Sequence, residues 1–160
     1  MADVVSLDDF GRLAGATITP SDWLEITQDR VDRFADATND HQFIHVDPRR
    51  AALTPFGGTI AHGYLTLSLL SDLLGKSRPV PEGLAMALNY GSDKVRYLAP
   101  VKVGQRIRAT GRIAELAEKR PGQWLMKTEV KVEIEGQSMP ALIAEILSMF
   151  IIATEEEDET

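Results

Sequence analysis

The sequence contains no cysteine, which excludes disulfide bonds, iron–sulfur clusters and zinc sites with thiolate ligands. It also lacks an excess of positive charge, because 17 Lys and Arg stand against 24 Asp and Glu and leave a formal net charge of −7. A protein that neutralises many phosphate groups has the opposite balance. We therefore expect no nucleic-acid partner.

No apolar run is long enough to cross a bilayer. The longest, at residues 141–153, is interrupted by Glu145 and falls short of the roughly 20 residues that a membrane helix needs. The first residues carry neither a basic start nor the apolar stretch of a secretory signal. The sequence predicts a cytoplasmic protein with no membrane partner.

The length and the distribution of acidic residues predict one domain followed by a short tail. A chain of 160 residues with 44% hydrophobic residues has the size and composition of a single domain with its own core. The last residues are strongly acidic, Glu-Glu-Glu-Asp-Glu at 155–159. We expect residues 1–153 to form the domain and residues 154–160 to be a disordered acidic tail.

Capping residues predict two helices in the first third of the chain. Ser6 precedes a short helix over residues 7–13, and Thr27 precedes a better helix that ends near Ala37. The stretch that follows, residues 39–58, is rich in turn-forming residues and is predicted to be irregular.

A third helix is predicted over residues 64–74, with Gly75 ending it. Its leucines lie on all sides, so other structure should surround it. The rest of the chain has the alternation and β-branched content of four strands, over residues 90–98, 105–116, 124–134 and 142–152. The predicted fold class is α+β, with one long central helix wrapped by a curved antiparallel sheet.

The three histidines of the chain, His41, His45 and His62, all fall in the segment between the second and third predicted helices. Side chains that titrate near neutral pH are typical of a working site. Asp40 and His45 can converge on one water molecule, where the imidazole would take a proton and the carboxylate would hold the water or the imidazole. The alternative is a turn-capping Asp40 and a hydrogen-bonded core His45.

His62 and Gly63 stand at the start of the third predicted helix. The first turn of a helix has N–H groups without internal partners, and glycine lets a ligand approach them. Such a position can stabilise a developing oxyanion. The alternative is that Gly63 only permits close packing and that His62 satisfies a buried backbone group.

Residues 34–48, FADATNDHQFIHVDP, and residues 56–65, FGGTIAHGYL, resemble the MaoC-like dehydratase family, and within it the nodulation-protein-N-like branch. The resemblance covers roughly residues 20–152. It implies the hot-dog fold, in which a long helix is wrapped by an antiparallel sheet. That fold agrees with the architecture that the sequence pattern predicts.

The resemblance also implies a reaction, (R)-specific hydration of trans-2-enoyl-CoA. Asp40 and His45 match the catalytic pair of the family, and Gly63 matches the amide that polarises the thioester carbonyl. The flanking residues His62 and Tyr64 are further candidates for contact with the substrate. The family implies no cofactor and no metal, an acyl-CoA as the bound partner, and a homodimer.

The motif departs from the usual hydratase pattern at three positions. Asn39, Gln42 and Phe43 stand where that pattern has glycine, asparagine and proline. Gln42 can still supply the amide contacts of the asparagine with a longer reach, so it is a candidate for substrate binding. Phe43 can alter the loop or the acyl pocket.

Three other hypotheses remain open from the sequence. Asp40, His41 and His45 have the residue types of a metal site. A hot-dog thioesterase would need an acid on the central helix, where Asp72 is available. The third hypothesis is a module that binds acyl thioesters or lipid signals without catalysis.

Overall fold

The structure is a computed structural model that describes residues 3–153, so the predicted acidic tail lies outside the described residues. Within these residues the chain forms six helices and eight strands. The helices are α1 Leu7–Phe10, α2 Gln28–Thr38, α3 Phe43–Val46, α4 Pro48–Ala51, α5 Gly63–Ser68 and α6 Leu70–Ser77. The strands are β1 Val4–Val5, β2 Thr17–Ile18, β3 Leu24–Glu25, β4 Val80–Pro81, β5 Leu84–Tyr97, β6 Arg106–Arg120, β7 Gln123–Ile134 and β8 Leu142–Ile152.

The predicted helix starts are confirmed at both capping residues. The Ser6 hydroxyl accepts the Asp9 N–H at the start of α1, and the Thr27 hydroxyl accepts the Arg30 N–H at the start of α2. The first helix is shorter than predicted, because the chain leaves the helical pattern after Phe10. These caps satisfy N–H groups that have no partner inside the helix.

The central helix is α5 and α6, which meet at Leu69. The prediction that Gly75 ends this helix is wrong. The helical pattern continues until the Arg78 N–H donates to the Leu74 carbonyl, and Arg78 itself is extended, with φ −109° and ψ 148°. Proline disfavours the helical conformation of the residue before it, so Pro79 rather than Gly75 sets the end.

The main sheet has six strands, in the order β2-β6-β7-β8-β5, with β3 also paired to β6. All of these pairs are antiparallel, as predicted. The strand predicted to begin at Tyr90 begins at Leu84, because residues before Tyr90 already pair with β8. β1 and β4 form a separate parallel pair.

The core lies between the central helix and the concave face of the sheet. Leucines 65, 70, 73 and 74 of the helix are buried in one cluster with side chains of β6, β7 and β8. The expectation that the helix is surrounded on every side is wrong for this chain alone. Tyr64, Ser68, Ser71 and Asp72 are exposed, so one face of the helix is open.

The strand β5 forms one end of the sheet and pairs only with β8 among the described strands. Most of its residues are exposed, and these include Met86, Leu88 and Tyr90. A long edge strand with exposed apolar side chains is a surface that proteins normally cover. Within residues 3–153, no helix combines the length and the apolar character needed to span a membrane.

Candidate active site

The segment between α2 and α4 carries the predicted catalytic pair. Asn39 ends α2 in the left-handed conformation, with φ 58° and ψ 24°, and turns the chain. The Asp40 N–H donates to the Ala35 carbonyl at 3.1 Å, which fixes the position of Asp40 at the helix end. The predicted irregular stretch contains the short helix α3, whose four residues are too few for a hydrophobic period to be visible.

His45 lies on α3, is buried, and faces the backbone of a later segment. Its Nδ1 is 2.7 Å from the Ile60 carbonyl oxygen. Because a carbonyl oxygen only accepts hydrogen bonds, Nδ1 carries the proton and Nε2 keeps a free lone pair. Burial lowers the pKa of His45 below its usual value of 6.5, although the bond to Ile60 acts in the opposite direction. The ring is therefore a neutral base at pH 7.

Gln28, at the start of α2, holds the backbone of His45. Its side-chain N–H groups donate to the His45 carbonyl at 2.8 Å and to the Asp32 carboxylate at 2.8 Å. Its side-chain oxygen accepts the Thr59 hydroxyl at 2.6 Å. Gln28 is not predicted as a site residue by the sequence, since only the fold brings residues 28, 45 and 59 together.

His62 lies behind His45. The two imidazole rings are stacked, with 3.8 Å between centroids and 25° between planes. His62 Nε2 is 2.9 Å from the Asp40 carbonyl oxygen, so this nitrogen donates and ties the central helix to the Asp40 backbone. Its side chain is 3% exposed. His62 therefore contacts protein groups, and it is not among the side chains that line the neighbouring cavity.

The Asp40 carboxylate completes the group. Asp40, His45 and His62 each offer one potential ligand atom, and these atoms lie within 4.8 Å of one another. The Asp40 carboxylate, which is 54% exposed, therefore lies close to both imidazoles. The same three residues are the set that can hold a cation. His41, which the metal hypothesis included, instead bonds the exposed Asp36 carboxylate at 2.8 Å.

A cavity of about 470 Å³ opens beside His45 and is mainly apolar. Phe56, Tyr97, Leu98 and Pro100 contribute to its walls. Pockets of this size and character hold small organic ligands and orient them with a few polar groups. Here the polar group from α3 is the imidazole of His45.

Gly63, the first residue of α5, also lines this cavity. The Gly63 N–H makes no hydrogen bond to the part of the chain that the structure describes. A Cβ atom at this position would lie 3.0 Å from the ring of Tyr97, so a larger residue would press against that ring. Tyr97 is not predicted as a site residue by the sequence, because nothing in the strand pattern distinguishes it from other edge residues. Burial raises the pKa of Tyr97, and the nearby Tyr64 adds to this effect.

The two remaining predicted residues lie at the margin of the site. Tyr64 lines the cavity, is 71% exposed, and meets Tyr97 edge to face with ring centroids 6.3 Å apart. Gln42 is exposed at the start of α3, where its N–H is 3.4 Å from an Asp40 carboxylate oxygen. The Gln42 side chain does not line the cavity within the described chain.

Comparison with known proteins places this chain in a family. Residues 9–137 match the MaoC like domain. The chain is 46% identical over 146 residues to 3-hydroxyacyl-thioester dehydratase Z of Mycobacterium tuberculosis, covering 91% of this chain and 96% of that protein. It is 47% identical over 141 residues to nodulation protein N of Rhizobium leguminosarum bv. viciae, covering 88% of each.

Structural comparison agrees with the sequence comparison. The (R)-hydratase from A. caviae superposes with a TM-score of 0.68 at 25% identity, covering 84% of this chain and 94% of that structure. The fold is therefore the hot-dog fold, as the resemblance implied, and the relatives include hydratases and dehydratases. The chain belongs to the MaoC-like dehydratase family.

Proposed function

We propose that this protein reversibly hydrates trans-2-enoyl-CoA to (R)-3-hydroxyacyl-CoA without a cofactor or metal. The observation that carries the proposal is the state of His45. Its Nδ1 is engaged by the Ile60 carbonyl, its Nε2 is a free base, and it stands beside both the Asp40 carboxylate and an apolar cavity. The names of the relatives support the same class of reaction.

The hydration begins with a water molecule held between Asp40 and His45. His45 Nε2 takes a proton from this water, and the oxygen forms a bond to C3 of the enoyl thioester. The C2–C3 π electrons move toward the thioester carbonyl and give an enolate. A proton returned to C2 from the same face completes the addition, so one water is consumed and no other reactant is needed.

The enolate oxygen is stabilised by the Gly63 N–H. This group is free of protein partners among the described residues and lines the cavity. A backbone N–H placed in advance needs no reorganisation when negative charge develops. The Tyr97 ring lies close to Gly63 and lines the same cavity.

His62 acts on this site as a positioning residue. By donating to the Asp40 carbonyl and stacking on His45, it links the two proposed catalytic residues to the start of α5. The thioesterase hypothesis lacks a comparable arrangement. Its candidate acid, Asp72, pairs with Lys76 and is half-exposed to solvent.

The experiment that tests this function follows crotonyl-CoA hydration by ultraviolet absorbance. Asp40→Asn and His45→Gln should each lose about 10²–10⁴-fold in kcat, the range for general acid–base groups. Asp36→Asn and His41→Gln are matched controls, because these residues lie in the same segment, pair with each other and are exposed. Hydration that survives both site substitutions contradicts the assignment, and binding of crotonyl-CoA without turnover by the wild type favours the non-catalytic hypothesis.

A homodimer through β5 is the second part of the proposal. The open edge and the exposed Met86, Leu88 and Tyr90 on it are the support. Pairing of two β5 strands would extend the sheet and satisfy its free backbone groups.

Leu88→Lys should shift the protein toward monomer in analytical ultracentrifugation. Leu53→Lys is the control, since Leu53 is 89% exposed outside the sheet, and an unchanged dimer in Leu88→Lys would contradict the interface.

A further inference from the structure

A second cavity, of about 280 Å³, lies between the central helix and β5. We call it the Arg78 cavity. Leu70 and Leu74 of the helix form its apolar side, and Asn89 and Ser148 contribute polar atoms with Arg78. It shares no lining residue with the cavity at His45.

Arg78 is a buried cation without a counterion. Only 9% of the residue is exposed, and its guanidinium lies over the Phe150 ring, 4.9 Å from the centroid. One terminal nitrogen donates to the Ser148 hydroxyl at 3.0 Å, whereas the buried Nε has no hydrogen-bond partner. Among residues 3–153, no carboxylate lies within 4.0 Å of this guanidinium. Burial lowers the pKa of Arg78 to about 10, so it stays protonated at neutral pH.

Three arginines of β6, in the main sheet, show the opposite arrangement. Arg106, Arg108 and Arg112 lie on the wetter face, and each pairs with a glutamate of β7 or the residue after it. Water can solvate an arginine on a surface, but a buried guanidinium depends on nearby groups for compensation. A buried cation that lacks compensation beside a cavity is therefore a candidate ligand-binding group.

The chemistry of the cavity selects a carboxylate. A guanidinium presents a planar fork of N–H donors that matches the two oxygens of a carboxylate. The Asn89 side-chain amide of β5 donates to the Ser71 hydroxyl of α6 at 3.3 Å, and these groups add further donors to the cavity. The leucines beside them suit a hydrocarbon chain. We propose that the Arg78 cavity binds the carboxylate end of an aliphatic chain.

The position of this cavity relative to His45 indicates which class of substrate the protein uses, and this inference rests on the proposed function. Gly63 lines the first cavity, and later turns of the same helix line the second. From Gly63 to Leu74 the helix rises about 16 Å, at 1.5 Å per residue. An extended chain advances about 1.2 Å per bond, so roughly a dozen bonds cover that distance. The matching substrate is a long enoyl thioester that ends in a carboxylate.

The kinetic test compares two trans-2-enoyl-CoA substrates of equal length, roughly twelve to fourteen carbons, one ending in methyl and one in carboxylate. The wild type should prefer the carboxylate-ended substrate by about tenfold or more in kcat/KM, mainly through KM, as expected for a charge-assisted pair. Arg78→Gln should remove the preference for the carboxylate-ended substrate. Arg96→Gln is the matched control, because Arg96 is an exposed arginine on β5.

A second arm needs no catalysis. A free long-chain dicarboxylic acid should raise the melting temperature of the wild type and of Arg96→Gln, but not that of Arg78→Gln. If no thioester is hydrated, the proposed function fails and this arm still decides whether the carboxylate site exists. If the free acid binds but the two enoyl-CoA substrates are hydrated equally well, the cavity binds a free acid. The proposed substrate class is then overturned.

One combination of results overturns the whole proposal. Arg78→Gln loses self-association, the wild type shows no preference for the carboxylate-ended substrate, and the free dicarboxylic acid does not raise its melting temperature. The counterion would then come from a second copy of the chain. Removing an uncompensated buried charge should leave the ligand-free protein at least as stable as before. If Arg78→Gln does not fold, Arg78→Lys keeps the charge, lacks the planar fork, and should lose the preference in the same assays.

Discussion

The two ends of the central helix hold buried polar groups of opposite kinds. At the start, His45 and His62 are each oriented by a backbone carbonyl, and Gln28 holds the His45 backbone in turn. At the far end, Arg78 has one hydrogen bond and no counterion among the described residues. The first end is set before any ligand arrives, as acid–base chemistry requires, whereas the second end is completed by what binds there.

The largest effect outside the acid–base pair should come from closing the space at Gly63. Gly63→Ala places a Cβ against the Tyr97 ring, at 3.0 Å, and should lower kcat for hydration by about 10²-fold because the oxyanion contact is displaced. Gly75→Ala, on the same helix with open space around it, should keep full activity. Adding Tyr97→Leu to Gly63→Ala should restore part of the rate. An unaffected Gly63→Ala would show that the amide is not used.

Removing the hydrogen bonds that hold the His45 backbone should have a smaller effect on activity, and it should also change the pH profile. Gln28→Ala removes the bonds to His45 and Thr59 and should cost about 1–3 kcal/mol in the free energy of unfolding. It should also let water reach His45, so the acid limb of the pH profile of kcat/KM moves to higher pH. Asp32→Ala, which removes only the exposed contact of Gln28, is the control. A loss of stability with an unmoved acid limb would make Gln28 purely structural.

The kcat/KM of the wild type should change little with pH above neutrality and should fall at acidic pH. Since burial lowers the pKa of His45, the neutral base persists below pH 6.5, and the acid limb of kcat/KM lies below that value. The same shift affects folding. The unfolded chain binds the proton more readily, so the contribution of His45 to stability is present above pH 6.5 and is lost as the pH falls. A limb above pH 6.5, measured on crotonyl-CoA, would contradict a desolvated His45.

The smallest effect is expected for a substitution that tests whether the two cavities, at opposite ends of the central helix, act independently. Ser148→Ala removes the hydroxyl that Arg78 bonds and should change crotonyl-CoA hydration by less than about twofold, because so short a substrate ends before the Arg78 cavity. Its melting temperature should change little or fall by a few degrees. Loss of crotonyl-CoA hydration in Ser148→Ala would show that the two cavities do not act independently.

Local signals predicted much of this fold. The caps at Ser6 and Thr27 and the alternation in β7 act over a few residues, so the sequence pattern is enough. The end of the central helix was predicted at Gly75 instead of beside Pro79, because two local signals competed and proline was the stronger. The stronger constraint could have been recognised from the sequence.

Of the site residues, the sequence predicted only those that lie within the segments resembling the family. Asp40, His45 and Gly63 lie in the segments that resemble the family. The structure brings Asp40 close to His45, and His45 and Gly63 line one cavity. Gln28 and Tyr97 were missed, since each depends on a contact between segments far apart in the chain, and the burial of Arg78 was missed for the same reason. His62 was predicted to contact substrate, and its position behind His45 depends on ring stacking that no local pattern shows.

The central claim is that Asp40 and His45 act on one water molecule, and a double-mutant cycle tests it most directly. Crotonyl-CoA hydration should be measured for Asp40→Asn, His45→Gln and the double variant under the same conditions. Groups that act as a unit are not additive, so the double variant should be within about threefold of the slower single variant. Losses that multiply in the double variant would contradict the shared water and assign the two residues separate roles.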